Sequence, residues 1–127
     1  MTDRTEVEHV LQRLYAARVG SDLQALCALF TPDARFRIAG ASDGKPIAIL
    51  AHGSAEIRSW LAVLVKTFRI NEHEIASLLI EGPRAAVHWH ARIHSRITGV
   101  IVPTDFADLV EVRSGLIASY VEFFVPS

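Results

Sequence analysis

Three tight turn signals in the second half of the chain constrain its fold more than any other feature. Gly82-Pro83, Thr98-Gly99 and Ser114-Gly115 divide it into four runs, about 70–80, 84–98, 100–112 and 116–125. Alternation of apolar and polar residues within the runs sends successive side chains to opposite faces, as in half-buried strands. Strands joined by such short turns run antiparallel, because a parallel neighbour needs a long crossover. The second half is therefore predicted to be an antiparallel meander. Pro103 has no N–H to give a ladder, so a bulge or an edge is expected there.

The first half reads differently. Val7, Val10, Leu11, Leu14 and Val19 recur at helical spacing over residues 5–19. Thr5 and Glu8 have the spacing of a capping box, and Gly20 stops the run. Ser21 with Gln24 opens a short second helix through Phe30, which Thr31-Pro32-Asp33 closes. Phe36 and Ile38 then alternate with Arg35 and Arg37, predicting a strand over 34–39. Residues 40–46 read as a loop by their Gly, Ser, Asp and Pro content, and a short strand over 47–51 returns from it. Ser54 caps a third helix with a buried stripe of Ile57, Trp60, Leu61, Leu64 and Phe68.

Helices gathered at the front and strands at the back predict an α+β class. The expected architecture is a cone-shaped fold, with three N-terminal helices packed on a curved, mostly antiparallel sheet. One domain is expected over residues 1–127, because 127 residues suffice for a single core and no linker or repeat interrupts them.

Hydrophobic residues make up 50 % of the chain and mean hydropathy is +0.27, high enough to suggest a lined cavity, an interface between copies, or both. A net charge of −1, with Lys45 and Lys66 the only lysines, argues against nucleic-acid binding, which needs a basic stripe to neutralise phosphates. Cys27 is the one cysteine and has no internal partner. Met1 to Glu8 is polar and acidic, unlike a signal peptide. Apolar stretches such as Trp60 to Val65 are too short to span a membrane. The expectation is a cytoplasmic protein without membrane contact.

The order of elements resembles the nuclear transport factor 2-like superfamily, which includes ketosteroid isomerase, the SnoaL-like polyketide cyclases and limonene epoxide hydrolase. The residues that carry the resemblance are Gly20-Ser21-Asp22-Leu23-Gln24-Ala25-Leu26, Leu29-Phe30-Thr31-Pro32-Asp33-Ala34, His52-Gly53, and Gly115-Leu116-Ile117 leading into Tyr120-Val121-Glu122-Phe123-Phe124. It covers nearly the whole chain and implies a single SnoaL-like domain with an apolar pocket, a fold that hosts many functions. In the isomerase pattern a carboxylate base works beside a tyrosine and a protonated aspartate. Matching positions put Ile38 at the base and Leu14 at the tyrosine, with Tyr15 one step away. Asp108 takes the aspartate position if one residue is removed from the Ser114-Gly115 turn. In the epoxide hydrolase pattern Glu122 falls where the last acid lies.

Two acids are the candidate catalytic residues. Asp108 shares a strand face with Phe106, Val110 and Val112, where desolvation raises a carboxyl pKa. Glu122 shares one with Tyr120 and Phe124, and is a candidate general base. Their strands are neighbours, so mutual repulsion sets one acid against one base. Candidate ligand contacts are Trp60, Trp89, Phe106, Tyr120 and Phe124, with Ile38 and Leu14 added by the resemblance. His88, His90 and His94 form a row, but no carboxylate completes a metal set and Arg92 and Arg96 share their face. That row is expected to cover the outer sheet face inside a homodimer, and no metal is expected. His73, on an alternating strand, faces the pocket or is a satisfied core histidine. The resulting expectation is a cofactor-free isomerase, cyclase or hydrolase for a small apolar carbonyl or hydroxyl compound. The alternative is a non-catalytic binding or dimerisation module of the same fold.

Overall fold

A computed structural model describes residues 3–42 and 44–126. In chain order the elements are α1 (Arg4–Val19), α2 (Leu23–Cys27), β1 (Phe30–Ser42), β2 (Lys45–His52), α3 (Ser54–Thr67), β3 (Phe68–Glu81), β4 (Arg84–Ser95), β5 (Ile101–Arg113) and β6 (Leu116–Pro126). The six strands form one curved, unclosed sheet in the order β2-β1-β6-β5-β4-β3. All pairs are antiparallel except β1 with β6, which run parallel. The α+β class and the curved, mostly antiparallel sheet stand as expected.

The helices are not all N-terminal. α3 follows β1 and β2 and precedes β3, so the sheet starts before the helical part is finished. The expected loop over 40–46 is also shorter. β1 continues to Ser42 and β2 begins at Lys45, because Gly40 pairs with Ile47 and Ala41 with Pro46 across an edge hairpin. Asp43, within that expected loop, lies outside the described residues, as do Met1, Thr2 and Ser127.

Two helix caps form one or two residues to the side of where the spacing put them. Asp3, rather than Thr5, caps α1 by accepting from the Glu6 amide at 2.9 Å, and Asp22 caps α2 by accepting from the Ala25 amide at 3.1 Å. A carboxylate accepts at least as well as a hydroxyl and also complements the helix dipole. Gly53, with φ of 85°, precedes α3 without a side-chain cap. Pro103 holds its register opposite Arg92 without a bulge and lies just past Thr104↔Pro126, the end of the described pairing with β6.

The core lies between the helices and the concave sheet face. Val7, Val10, Leu11 and Leu14 of α1, with Ile57 and Leu61 of α3, meet Phe36, Val87, Trp89, Val110 and Tyr120 from the strands. A register shift between Glu111/Val112 and their β6 partners absorbs one residue. This shift puts Ile117 and then Tyr120 and Glu122 inward, fixing the faces of the site.

Candidate active site

Seven helical residues separate Leu11 from Arg18, about two turns, so Arg18 stands on the same inward line as Leu11, Leu14 and Tyr15. The tip of that line meets the open end of the sheet. There Arg18 Nη1 donates to Glu122 Oε2 and, at 2.8 Å, to the Tyr120 hydroxyl. Its guanidinium also lies over the Trp89 ring, 5.2 Å from the centroid. Glu122 is 2 % exposed and Arg18's side chain 15 %, so the ion pair is largely withdrawn from water.

Asp108 sits directly behind this pair. The β5·β6 register sets it opposite Glu122, and it is wholly buried. Its Oδ2 is surrounded by the Tyr15 hydroxyl at 2.6 Å, Trp89 Nε1 at 2.8 Å and the Tyr120 hydroxyl at 2.8 Å. The Tyr120 hydroxyl is also 2.5 Å from Glu122 Oε2. One phenol carries one proton and cannot donate to two carboxylates. A second proton must therefore reside in the cluster. Burial, reinforced by the charge of Glu122, raises the Asp108 pKa well above the usual carboxylate range. Asp108 is thus the group that keeps the proton. Protonated at Oδ2, it donates to Tyr120, which donates to Glu122 while accepting from Arg18. Every contact around the Tyr120 oxygen then has a donor and an acceptor, and the charges of Arg18 and Glu122 cancel.

The neighbouring groups agree with this distribution. Burial, with Asp108 and Glu122 adding to it, raises the Tyr120 pKa, and burial and Asp108 raise that of Tyr15, so both phenols keep their protons. Burial alone would lower the Arg18 pKa, but Glu122, Tyr120 and Asp108 outweigh it and hold the guanidinium charged. His73 is stacked on Tyr15 and tilted against Trp89, both at 4.9 Å, and burial lowers its pKa.

Only part of this cluster reaches the cavity. A cavity of about 500 Å³ opens between α3, the end of α1, Leu26 of α2 and the sheet. Arg18 and Glu122 are its charged lining residues. Ile38, Phe106 and Phe124 line it with aliphatic side chains such as Leu61, Leu64, Val65 and Ile93. Ser21, Ser42, Ser95, Thr98 and Thr104 add hydroxyls. A cavity of this size and character suits a small, mostly apolar molecule.

The residues singled out from the sequence thus divide. Glu122, Phe106, Phe124 and Ile38 line the cavity. Asp108, Tyr120, Trp89 and Leu14 are fully or almost fully buried behind its wall. Trp89 stacks flat on Phe106 at 3.8 Å and so supports the lining without joining it. Trp60 is 38 % exposed and outside the cavity. Ile57, Leu61 and Leu64–Val65 define the inward line of α3, and Trp60 is turned about 100° from Leu61 toward solvent. The His88, His90 and Arg92 side chains face outward, beside Asp105, Glu74 and Glu72 respectively. Arg18 is the site residue that the apolar pattern concealed. Taking Val19 as the end of the stripe hid it, but Val19 is 43 % exposed, and strict spacing from Leu11 and Leu14 selects Arg18.

Known proteins place the chain in a family. A family model described as SnoaL-like domain matches residues 11–120. The chain belongs to the SnoaL-like family. Its match takes in Arg18, Asp108 and Tyr120 and ends two residues before Glu122. No curated protein matches the sequence significantly. Among solved structures, an NTF2-like protein from Burkholderia xenovorans superposes with a TM-score of 0.79 at 19% identity, covering 98% of this chain and 93% of that one. An LEH-like epoxide hydrolase of M. tuberculosis gives 0.74 at 15%, covering 95% and 84%. A ketosteroid isomerase-like protein from Erwinia carotovora gives 0.69 at 18%, covering 95% of each chain. At these identities the likeness establishes the shared fold of this SnoaL-like chain. No helix among the described residues is long and apolar enough to cross a membrane.

Proposed function

We propose that this SnoaL-like chain binds a small, neutral, mostly apolar compound bearing one carbonyl or hydroxyl oxygen, and moves a proton on it without a cofactor. The observation that carries this reading is the Arg18–Glu122 pair, buried at the wall of a cavity whose other lining residues are uncharged and mostly apolar. Withdrawing such a pair from water costs several kcal/mol, and apolar replacements often pack as stably. Its position facing the cavity gives it a use that packing alone does not.

In this reading Arg18 holds the ligand oxygen and Glu122 takes a proton from the adjacent carbon. On a β,γ-unsaturated ketone the C–H electron pair passes into a conjugated dienolate whose oxygen charge Arg18 stabilises. Glu122, now the acid, returns the proton to another carbon of the conjugated system, completing an isomerisation without net gain or loss of atoms. Asp108 contacts no ligand. As the neutral donor to Tyr120 it positions the hydroxyl that holds Glu122, so its role is support rather than direct acid catalysis. The epoxide hydrolase and isomerase-like neighbours support a pocket of this general kind.

A second reading, binding without turnover, rests on one specific contact pattern. Glu122 Oε2 already receives donors from both Arg18 and Tyr120, so proton transfer depends on its other oxygen. Incubating the protein with a panel of small aromatic and terpenoid ketones in D2O separates the two. Binding with exchange of α-protons, lost in Glu122→Gln, is the expected result. Binding without exchange selects the second reading, and absence of binding across the panel refutes both.

A further inference from the structure

Gly40 lies in the interior of β1, where glycine is unfavourable because it loses conformational entropy and packs no side chain. Its φ is not positive and its backbone is extended, so conformation does not require glycine. Space does. A Cβ built on Gly40 would lie 2.5 Å from Phe124 Cε1 and 2.6 Å from Cδ1 and Cζ. Gly40 and Phe124 are direct partners in the parallel β1·β6 ladder, and the ring fills the position that a side chain at residue 40 would take. Ile38 and Ser42, two residues to either side, line the cavity, so that missing side chain would also point inward.

We propose that Gly40 is a specificity-determining residue: by seating the Phe124 ring against β1, it sets how large a ligand the cavity admits. The Phe106 ring lies tilted against Phe124 with centroids 6.5 Å apart and is itself stacked on Trp89. A side chain at residue 40 therefore drives the Phe124 ring off β1 and into the cavity. The free volume shrinks while Arg18 and Glu122 remain in place. This extends the proposed ligand pocket and rests on that reading for its functional consequence, but the ring movement is a property of the fold alone.

The test uses Gly40→Ala, with Gly40→Ala/Phe124→Leu as its rescue, and two probes, acetylnaphthalene and cyclohexanone. Gly40→Ala is expected to weaken acetylnaphthalene binding by about ten-fold or more, the scale of overpacking a fitted site. Cyclohexanone, which needs less room, should change by less than about two-fold. The double variant should recover most of the loss. Equal weakening of both probes, or no weakening of the larger, overturns the proposal. A crystal structure of Gly40→Ala decides the matter independently of ligand: Phe124 displaced into a smaller cavity is expected, and Phe124 unmoved with β1 and β6 spread apart overturns it. If neither probe binds the unmodified protein, the ligand reading fails for those probes while that structure still tests the seat. Should Gly40→Ala not fold, recovery of folding in the double variant supports the contact, and its failure to fold refutes it.

Discussion

Asp108→Asn is the substitution that most directly examines the proton held in the buried cluster. Asp108 is wholly buried, and desolvation followed by the charge of Glu122 raises its folded-state pKa well above its ordinary value. For a raised acid the sign is as follows. Below about pH 3.9, the unfolded value, the carboxyl is protonated in both states and its full contribution to stability is present. As pH rises, the unfolded chain releases the proton while the folded protein keeps it, so stability falls. While Asp108 stays protonated the slope approaches about 1.4 kcal/mol per pH unit, or roughly 2–2.5 kcal/mol between pH 4 and 6, where the unfolded carboxyl is still partly protonated at the lower end. Asparagine has the same shape and no proton to lose. It exchanges the carboxyl for an amide among Tyr15, Trp89 and Tyr120, which shifts stability by a roughly constant 1–2 kcal/mol. The offset is independent of pH, but the slope is not. Urea denaturation of both proteins from pH 4 to 6 should show Asp108→Asn gaining on the original with every unit. The slopes m should stay equal, so that midpoints report stability. Parallel stability curves would refute the assignment of the proton to Asp108.

Other consequences are equally direct. Arg18→Met strands a buried Glu122 and should destabilise by about 3–5 kcal/mol, whereas Arg18→Met/Glu122→Leu should regain most of this; additive losses in urea denaturation would contradict the pairing. Glu122→Gln keeps an acceptor for Tyr120 but leaves the Arg18 charge without its counter-ion, so it should destabilise by about 3–5 kcal/mol in urea denaturation while abolishing α-proton exchange on any ketone that binds. The outer sheet face carries exposed Leu79, Leu109, Phe123 and Val125 beside the His88 and His90 row, and we propose that two copies meet there. Sedimentation should then show a dimer at micromolar concentration that Phe123→Glu dissociates, and a stable monomer would overturn this arrangement.

The sequence disclosed periodicities more readily than exceptions to them. Strand alternation was legible where one strand face is dry, as in β1, β4, β5 and β6. The same alternation grouped Phe106 with Asp108, and Tyr120 with Glu122 and Phe124, on shared faces, and the structure places each group on the concave side. Distinguishing lining from backing was not legible. Phe106 and Trp89 face the same way, yet one meets the cavity and the other lies beneath it, a difference set by sheet curvature and not by residue type. Arg18 was hidden because a charged residue on an apolar stripe looks like its end. Trp60 misled for the opposite reason, since its size suggests burial while its helical angle turns it outward. The β1–β2 hairpin was obscured by residues common in loops, although Pro46 lies on an edge strand, where proline is tolerated, and Gly40 makes room for Phe124.

The single parallel pair in the sheet has a consequence for the order of assembly. β1 and β6 stand side by side in space but are the first and last strands in sequence, and Arg18 finds Glu122 across 104 residues. Closing so long a segment carries a large entropic barrier, so contacts of this range slow folding relative to hairpins. The β3–β6 meander can form from local turns, whereas β1 must wait for β6 before its inner edge is covered. On a ribosome, Phe36 and Ile38 therefore emerge well before the strand that will shield them, a window in which the β1–β2 hairpin is open to non-native pairing. The charge pair at the cavity wall is made in the same late step, so that wall is complete only when the first and last strands have met.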